Sequence, residues 1–351
     1  MNDRPWLDHY PSHVTWDQQF TGKPLHDLIS STASKVPDNI ALDFLGKTMT
    51  YGELDRQVNS ACKGFQKLGV KKGVKVGLFL PNCPQFVILF FAISKAGGTV
   101  VNYSPLYSES ELLHQVEDSQ TDIMVTLDLE ALYTKMRRVV ANSHVKKLVV
   151  SKFSEVLPFP KNLLFKIFKS SAIASVTKDD VYVDYNSLFE NDGNCEAVEI
   201  NPDEDIAVLQ YTGGTTGIPK GAMLTHSNLY INMRQLEVWP PMLEFGKENV
   251  VAFLPFFHIF ALTVVLNMGL KIGARIVIVP KFELEDAVKL MTKENITLFS
   301  QYPNFINSKP SSFSTKHLIF ISLNWLSSGQ HSMWIAVMLC SKHKAVSKFG
   351  V

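Results

Sequence analysis

Between residues 50 and 299, short apolar runs of strand length alternate with longer stretches whose apolar residues recur every three or four positions. Nothing else in the chain constrains its fold as much. A strand buried on both faces needs helices above and below it, so the alternation predicts parallel sheets covered on both sides. Thr50 and Glu53 have the spacing of a capping box, and Leu54, Val58, Ala61, Cys62, Phe65 and Leu68 follow on one helical face until Gly69 closes the helix. Strands are expected at 74–80, 98–102, 123–126 and 147–150, and helices at 85–95, from the Ser108–Glu111 capping pair, and near 129–142. The stretch from 151 to about 200, rich in Pro, Ser, Asp and Asn, reads as a connection. The pattern resumes with strands near 207–209, 250–254, 275–279 and 296–299, between helices near 228–238, 260–271 and 284–293. The expected organisation is a first α/β unit over 1–200, connecting segment included, and a second over 201–299. Residues 300–351 form a tail without defensible periodicity apart from an apolar run at 333–339.

Composition narrows the function classes. With 34 basic and 33 acidic residues the net charge is +1, which excludes the basic footprint of a nucleic-acid binder. Cys62, Cys83, Cys195 and Cys340 show no C-x-x-C spacing, which argues against a zinc site or a disulfide framework and suits the cytoplasm. The N-terminus has no apolar core of signal-peptide length. Residues 250–270 are mostly apolar, but Pro255, His258 and Asn267 break the run into a strand, a turn and a helix.

The chemistry concentrates in residues 211–226, Tyr-Thr-Gly-Gly-Thr-Thr-Gly-Ile-Pro-Lys-Gly-Ala-Met-Leu-Thr-His. Gly213, Gly214, Gly217 and Gly221 let backbone approach a ligand closely. Thr212, Thr215 and Thr216 add hydroxyls, and Lys220 adds a mobile positive charge. Successive N–H groups, hydroxyls and one ammonium make a cradle for phosphate oxygens, expected between a strand and a following helix. Pro219 before Lys220 and Gly221 after it rule out a Walker A loop.

This loop closely resembles the phosphate signature of the AMP-forming acid–thiol ligases, and the resemblance runs from about residue 25 to about residue 299. Residues 49–54, Met-Thr-Tyr-Gly-Glu-Leu, and 95–102, Lys-Ala-Gly-Gly-Thr-Val-Val-Asn, are similar to two structural motifs of that family. Residues 254–260, Leu-Pro-Phe-Phe-His-Ile-Phe, resemble the aromatic segment beside its acyl pocket, in a form most like bacterial long-chain fatty acid–CoA ligases. The resemblance implies two parallel-sheet α/β subdomains of the ligase N-terminal domain, the second incomplete, with the C-terminal lid domain absent. It further implies ATP, Mg²⁺ and coenzyme A as reactants alongside a fatty acid. Thr212, Gly213, Gly214, Thr215, Thr216, Gly217 and Lys220 would hold the phosphates, Thr216 would meet the metal only through them, and Phe257 and His258 would line the acyl pocket. By itself, a lone histidine among aromatics reads first as a satisfied core residue.

The family's adenine and metal loop, ribose-binding Asp, hinge and adenylation lysine have no counterpart in residues 300–351, so no catalytic residue is assigned. The tail reads as a shifted frame of a longer gene. Three classes stay open: an impaired ligase, a non-catalytic nucleotide- or acyl-binding remnant working with a separately encoded C-terminal portion, and a decayed chain that does not fold. Residues 161–169 set Leu163, Leu164, Ile167 and Phe168 on one helical side and Lys166 and Lys169 on the other. That pattern fits either peripheral membrane contact or a helix packed on its own domain, the latter being the expectation.

Overall fold

The computed structural model describes residues 7, 10–212, 219–240, 242–280, 284–301, 317–324, 334–341 and 344–345. Helix α1 (Asp27–Ala33) leads to a hairpin of β1 (Ile40–Phe44) and β2 (Lys47–Thr50), then α2 (Tyr51–Lys67), β3 (Lys75–Leu78), α3 (Pro84–Lys95) and β4 (Thr99–Asn102). The alternation continues through α4 (Glu109–Ser119), β5 (Ile123–Leu127), α5 (Glu130–Ala141), β6 (Lys147–Ser151), α6 (Lys161–Phe168) and β7 (Tyr182–Asp184). There follow β8 (Ile206–Thr212), β9 (Lys220–Thr225), α7 (His226–Val238), β10 (Asn249–Ala252), α8 (Met268–Lys271), β11 (Arg275–Ile278), α9 (Leu284–Lys293) and β12 (Leu298–Gln301). Three further strands are β13 (His317–Asn324), β14 (Trp334–Ser341) and β15 (Lys344–Ala345).

The expected start signals are present as bonds. Thr50 N–H donates to Glu53 Oε2 at 2.8 Å while Glu53 N–H donates to Thr50 Oγ1 at 3.2 Å, and Ser108 and Glu111 repeat the exchange at the start of α4. Gly69 sits at φ +88°, the left-handed conformation that ends α2 without a Cβ penalty.

The described strands form two sheets, ordered β7-β6-β5-β3-β4-β8-β9 and β15-β14-β13-β12-β10-β11-β1-β2. The first is parallel from β7 to β8, and the second is parallel from β13 to β1. Antiparallel pairs occur only towards their ends. One apolar core joins α2 and α3 with β3 and β4 of the first sheet and β1, β10 and β11 of the second. On the far face of the first sheet, Leu112, Val116, Met136 and Val139 of α4 and α5 cover Val101, Met124 and Leu148. Met291 of α9 meets Val251 and Val277 on the far face of the second. Both faces are covered, as the alternation requires.

Three features depart from the sequence reading. Sheet membership is not contiguous: β1 and β2 join the second sheet, whereas β8 and β9 join the first, so a division at residue 200 follows the chain and not the sheets. Residues 334–339 of the apolar run fall in a strand, β14, which pairs antiparallel with β13. Finally, α6 forms where expected but is not packed down, because only Phe165 among its apolar side chains is part-buried. Among the described residues, no helix is long and apolar enough to cross a membrane. Residues 250–270 divide into β10, a turn, a buried π-helical stretch (Ala261–Asn267) and α8.

Candidate active site

Parallel sheets present ligands with the carboxyl ends of their strands, where connecting loops and side chains converge. Here the ends of β3, β4, β8 and β10 meet at a seam between the two sheets, and buried amides hold it. Asn82, just past β3, donates through Nδ2 to the carbonyls of Ala252 (3.1 Å) and Leu254 (2.9 Å), while its Oδ1 accepts from Phe256 N–H at 2.7 Å. On β8, Gln210 Nε2 donates to the Phe257 carbonyl at 3.0 Å, and Gln210 Oε1 accepts from Asn102 Nδ2 of β4 at 3.1 Å. Gln115 Nε2 of α4 completes the chain by donating to the Asn102 carbonyl at 2.9 Å. All four amides are buried, where a broken bond is costly; their N–H groups are engaged, while Asn102 Oδ1 and Gln115 Oε1 have no partner among the described residues.

Gln210 thereby brings the aromatic segment 254–260 alongside the final residues of β8, where the phosphate loop begins. Thr212 and Lys220 flank that loop, directly opposite each other across the β8–β9 pairing and both exposed. Gly213, Gly214, Thr215, Thr216 and Gly217 lie outside the described residues. Tyr211 packs so closely over Gly221 that a Cβ there would lie 2.9 Å from Tyr211 Cζ, which accounts for glycine at 221. The Tyr211 hydroxyl donates to the Asp118 carboxylate near the end of α4, fastening the hairpin base. Burial, then that neighbouring carboxylate, raises the phenol's pKa, so the proton stays on Tyr211.

A strand, not a helix, follows the loop. β9 carries the chain about 20 Å before α7 begins, and the first turn of α7 is occupied by its own capping box between Thr225 and Asn228. The helix-terminus contribution expected for phosphate binding is therefore absent from this hairpin. The helix lies where expected, near 228–238, but residues 220–225, read as the end of the loop motif, pair with β8 as a half-exposed edge strand. His226 closes the motif in another role: buried, its Nδ1 accepts from Leu25 N–H at 3.1 Å. Burial first, and then His26 beside it, lower its pKa to about 4, so it is neutral at pH 7.

Phe256 is buried against Phe86, with ring centroids 5.7 Å apart, while Phe257 is partly buried. His258 is exposed, so the core-histidine expectation fails. Its Nδ1 approaches Phe260 N–H at 3.4 Å, and desolvation by its surroundings lowers the imidazole pKa. Asn82, Asn102, Gln115 and Gln210 were missed as site residues. A usable signal existed in three of them: Asn82, Asn102 and Gln210 are polar residues at or just beyond the carboxyl ends of apolar runs, where a parallel strand meets its ligand edge.

Two sheets joined at such an edge, with the Thr212–Lys220 hairpin base and an aromatic segment side by side, make an α/β ligand-site frame at the strands' carboxyl ends. The chain matches the AMP-binding enzyme family over residues 29–331 and belongs to it. The match continues past residue 299 and includes β13. The chain is 35% identical over 314 residues to a long-chain-fatty-acid–CoA ligase of Bacillus subtilis (strain 168), covering 86% of this chain and 54% of that protein. It is 31% identical over 311 residues to 4-coumarate–CoA ligase 1 of Arabidopsis thaliana, covering 87% and 52%. The crystal structure of a long-chain-fatty-acid-CoA ligase from Archaeoglobus fulgidus shares the fold, with a TM-score of 0.71 at 24% identity over 89% of this chain and 59% of that one. The chain thus spans little more than half the length of these relatives.

Proposed function

We propose that this chain supplies the phosphate- and acid-binding part of an AMP-forming fatty acid–CoA ligase. In that reaction a carboxylate oxygen attacks the α-phosphate of ATP, pyrophosphate leaves, and the acyl group of the adenylate passes to the thiol of coenzyme A. The observation that carries the reading is the Gln210–Phe257 bond, which sets the aromatic segment beside the strand that enters the phosphate loop. Thr212, Gly213, Gly214, Thr215, Thr216 and Gly217 would donate to phosphate oxygens, and Lys220 would neutralise the charge that builds there. Phe257 and His258 would face the acid. Among the described residues no three His, Cys, Asp or Glu side chains gather as a metal site. In this reading Mg²⁺ is therefore carried by the phosphates, near Thr216, and offsets their charge. A long-chain acid is the favoured substrate because the aromatic segment is apolar and the bacterial relative at 35% identity is named for such acids. Cytoplasmic residence with access to a bilayer belongs to the same reading, since long-chain acids partition into lipid.

A second reading is a nucleotide- or acyl-binding half that needs a separately encoded C-terminal portion for catalysis. Fatty-acid-dependent exchange of pyrophosphate into ATP tests both. Lys220 is exposed, so Lys220→Ala leaves the fold intact and is expected to lower exchange about 100-fold, as for other stabilisers of developing phosphate charge. Exchange equal in both proteins refutes the role of Lys220. Nucleotide binding without exchange selects the second reading, and a folded chain that binds neither ATP nor acid overturns both.

A further inference from the structure

We infer that α6, with Phe159 before it, is a docking surface for an anionic phospholipid bilayer. The inference deepens the ligase reading by naming where the acid is met, but the docking itself requires no catalysis.

The helix is seated by one aromatic side chain. Phe165 packs on Phe153 with ring centroids 5.2 Å apart, and Phe153 in turn meets Phe44 of β1 at 6.1 Å. Lys161 Nζ donates to the Leu45 carbonyl at 3.1 Å and ties down the first turn. What remains outward is apolar: Phe159 is 79% exposed, Phe168 75% and Ile167 67%, with Leu163 and Leu164 exposed beside them. Single exposed apolar residues are ordinary, whereas five large ones within ten positions form a contiguous patch that calls for a partner.

Charge identifies that partner. Residues 156–178 contain Lys161, Lys166, Lys169 and Lys178 and no Asp or Glu. Of the acidic residues bordering this stretch, Glu155 is engaged by Asn186 and Lys152 and Asp179 by Arg137, and Asp180 lies eleven positions beyond Lys169. Exposed apolar side chains with the exposed Lys166 and Lys169 beside them suit acyl chains beneath anionic headgroups. At eight residues the helix is about 12 Å long, enough to lie in the interface and far too short to span it.

The test is flotation of the purified chain with vesicles of phosphatidylcholine containing about 30% phosphatidylglycerol, with no nucleotide or fatty acid present. Binding is expected to these vesicles and not to pure phosphatidylcholine, and to weaken with salt. Lys166→Gln with Lys169→Gln is expected to weaken it roughly thirtyfold, at about fivefold per lysine. Ile167→Asp with Phe168→Asp is expected to abolish it while leaving circular dichroism and the melting midpoint unchanged, since both side chains are exposed. No binding to anionic vesicles, or unchanged binding by the Asp pair, overturns the inference. So does sedimentation equilibrium showing a dimer that the Asp pair dissolves, because a second copy would then be the occupant. Loss of pyrophosphate exchange with vesicle binding intact would count against the ligase reading alone.

Discussion

Asn82 is the most economical place to test whether the seam is held by amides. Its side chain makes three bonds to the backbone of 252–256 and is buried. Asn82→Ala removes all three. The Ala252 carbonyl keeps a bond from Val279 N–H at 3.4 Å, so its loss is small, but the Leu254 carbonyl and the Phe256 N–H are left without their Asn82 partner. Each buried group so orphaned costs about 1–3 kcal/mol, giving about 2–6 kcal/mol for the pair. With a urea slope near 3 kcal/mol/M, the midpoint followed by far-ultraviolet circular dichroism should fall by about 0.7–2 M. Asn82→Asp sharpens the test. It can still accept from Phe256 N–H, yet it turns an oxygen without a proton towards two carbonyls. Burial and those carbonyls would raise its folded pKa above the unfolded value near 3.9. The folded state then holds the extra proton, so stability falls as pH rises through that window. The Asp variant should stand nearest wild type below about pH 4 and furthest from it at pH 8. A shift under about 0.5 kcal/mol for Asn82→Ala, or an Asp variant without pH dependence, would refute the clamp.

Two further outcomes are expected. His226 has a folded pKa of about 4 against 6.5 in the unfolded chain, so its stabilisation is complete above pH 6.5 and is lost as pH falls towards 4. Between pH 7.5 and 5.5 that amounts to about 1 kcal/mol. His226→Gln, which keeps an acceptor for Leu25 N–H, should reduce the slope measured by urea titration, and an unchanged slope would dismiss the histidine as its source. Expressing residues 1–200 and 201–351 separately should yield two insoluble pieces, because the cut parts β1 from β11 and β4 from β8. Cooperative monomeric unfolding of either piece alone would show that sheet pairing across the cut is dispensable.

Local rules made most of the elements legible. The capping boxes at Thr50 and Ser108 and the apolar spacing behind them determine α2 and α4 by interactions within one turn, so sequence alone suffices. The run 85–95 was readable as a buried helix because it is apolar on all sides, and α3 is indeed buried throughout. What escaped were decisions made between distant segments. Whether residues 220–225 become strand or loop depends on an edge of β8 left open beside β4. Nothing local in Lys-Gly-Ala-Met-Leu-Thr announces it. His258 was ambiguous for the same reason, since an aromatic neighbourhood in sequence does not say which side faces solvent. The amide chain was the least legible. Gln115, Asn102, Gln210 and Phe257 lie on four separate segments, and only the fold brings them together.

The division of labour across the seam follows from that arrangement. The β8–β9 hairpin, proposed above to hold phosphate, hangs from the first sheet, through β8 and the Tyr211–Asp118 bond. The aromatic segment hangs from the second, at the end of β10, and continues into the buried π-helical stretch 261–267. A sheet is stiff within itself, so a sliding motion between the two sheets would chiefly change the separation of acid and phosphate. Reaction between two bound groups tolerates little of that, because a displacement near 1 Å can cost a hundredfold in rate. Asn82 and Gln210 cross the seam at its carboxyl edge and bond to the backbone of the aromatic segment, not to its side chains. Backbone contacts fix the position of the wall while leaving its side chains free to vary with the acid. An amide suits this place better than a charge would, since it can donate and accept at once without a buried ion to neutralise: Gln210 donates across the seam and accepts from Asn102 on its own side, while Asn82 does both towards 252–256.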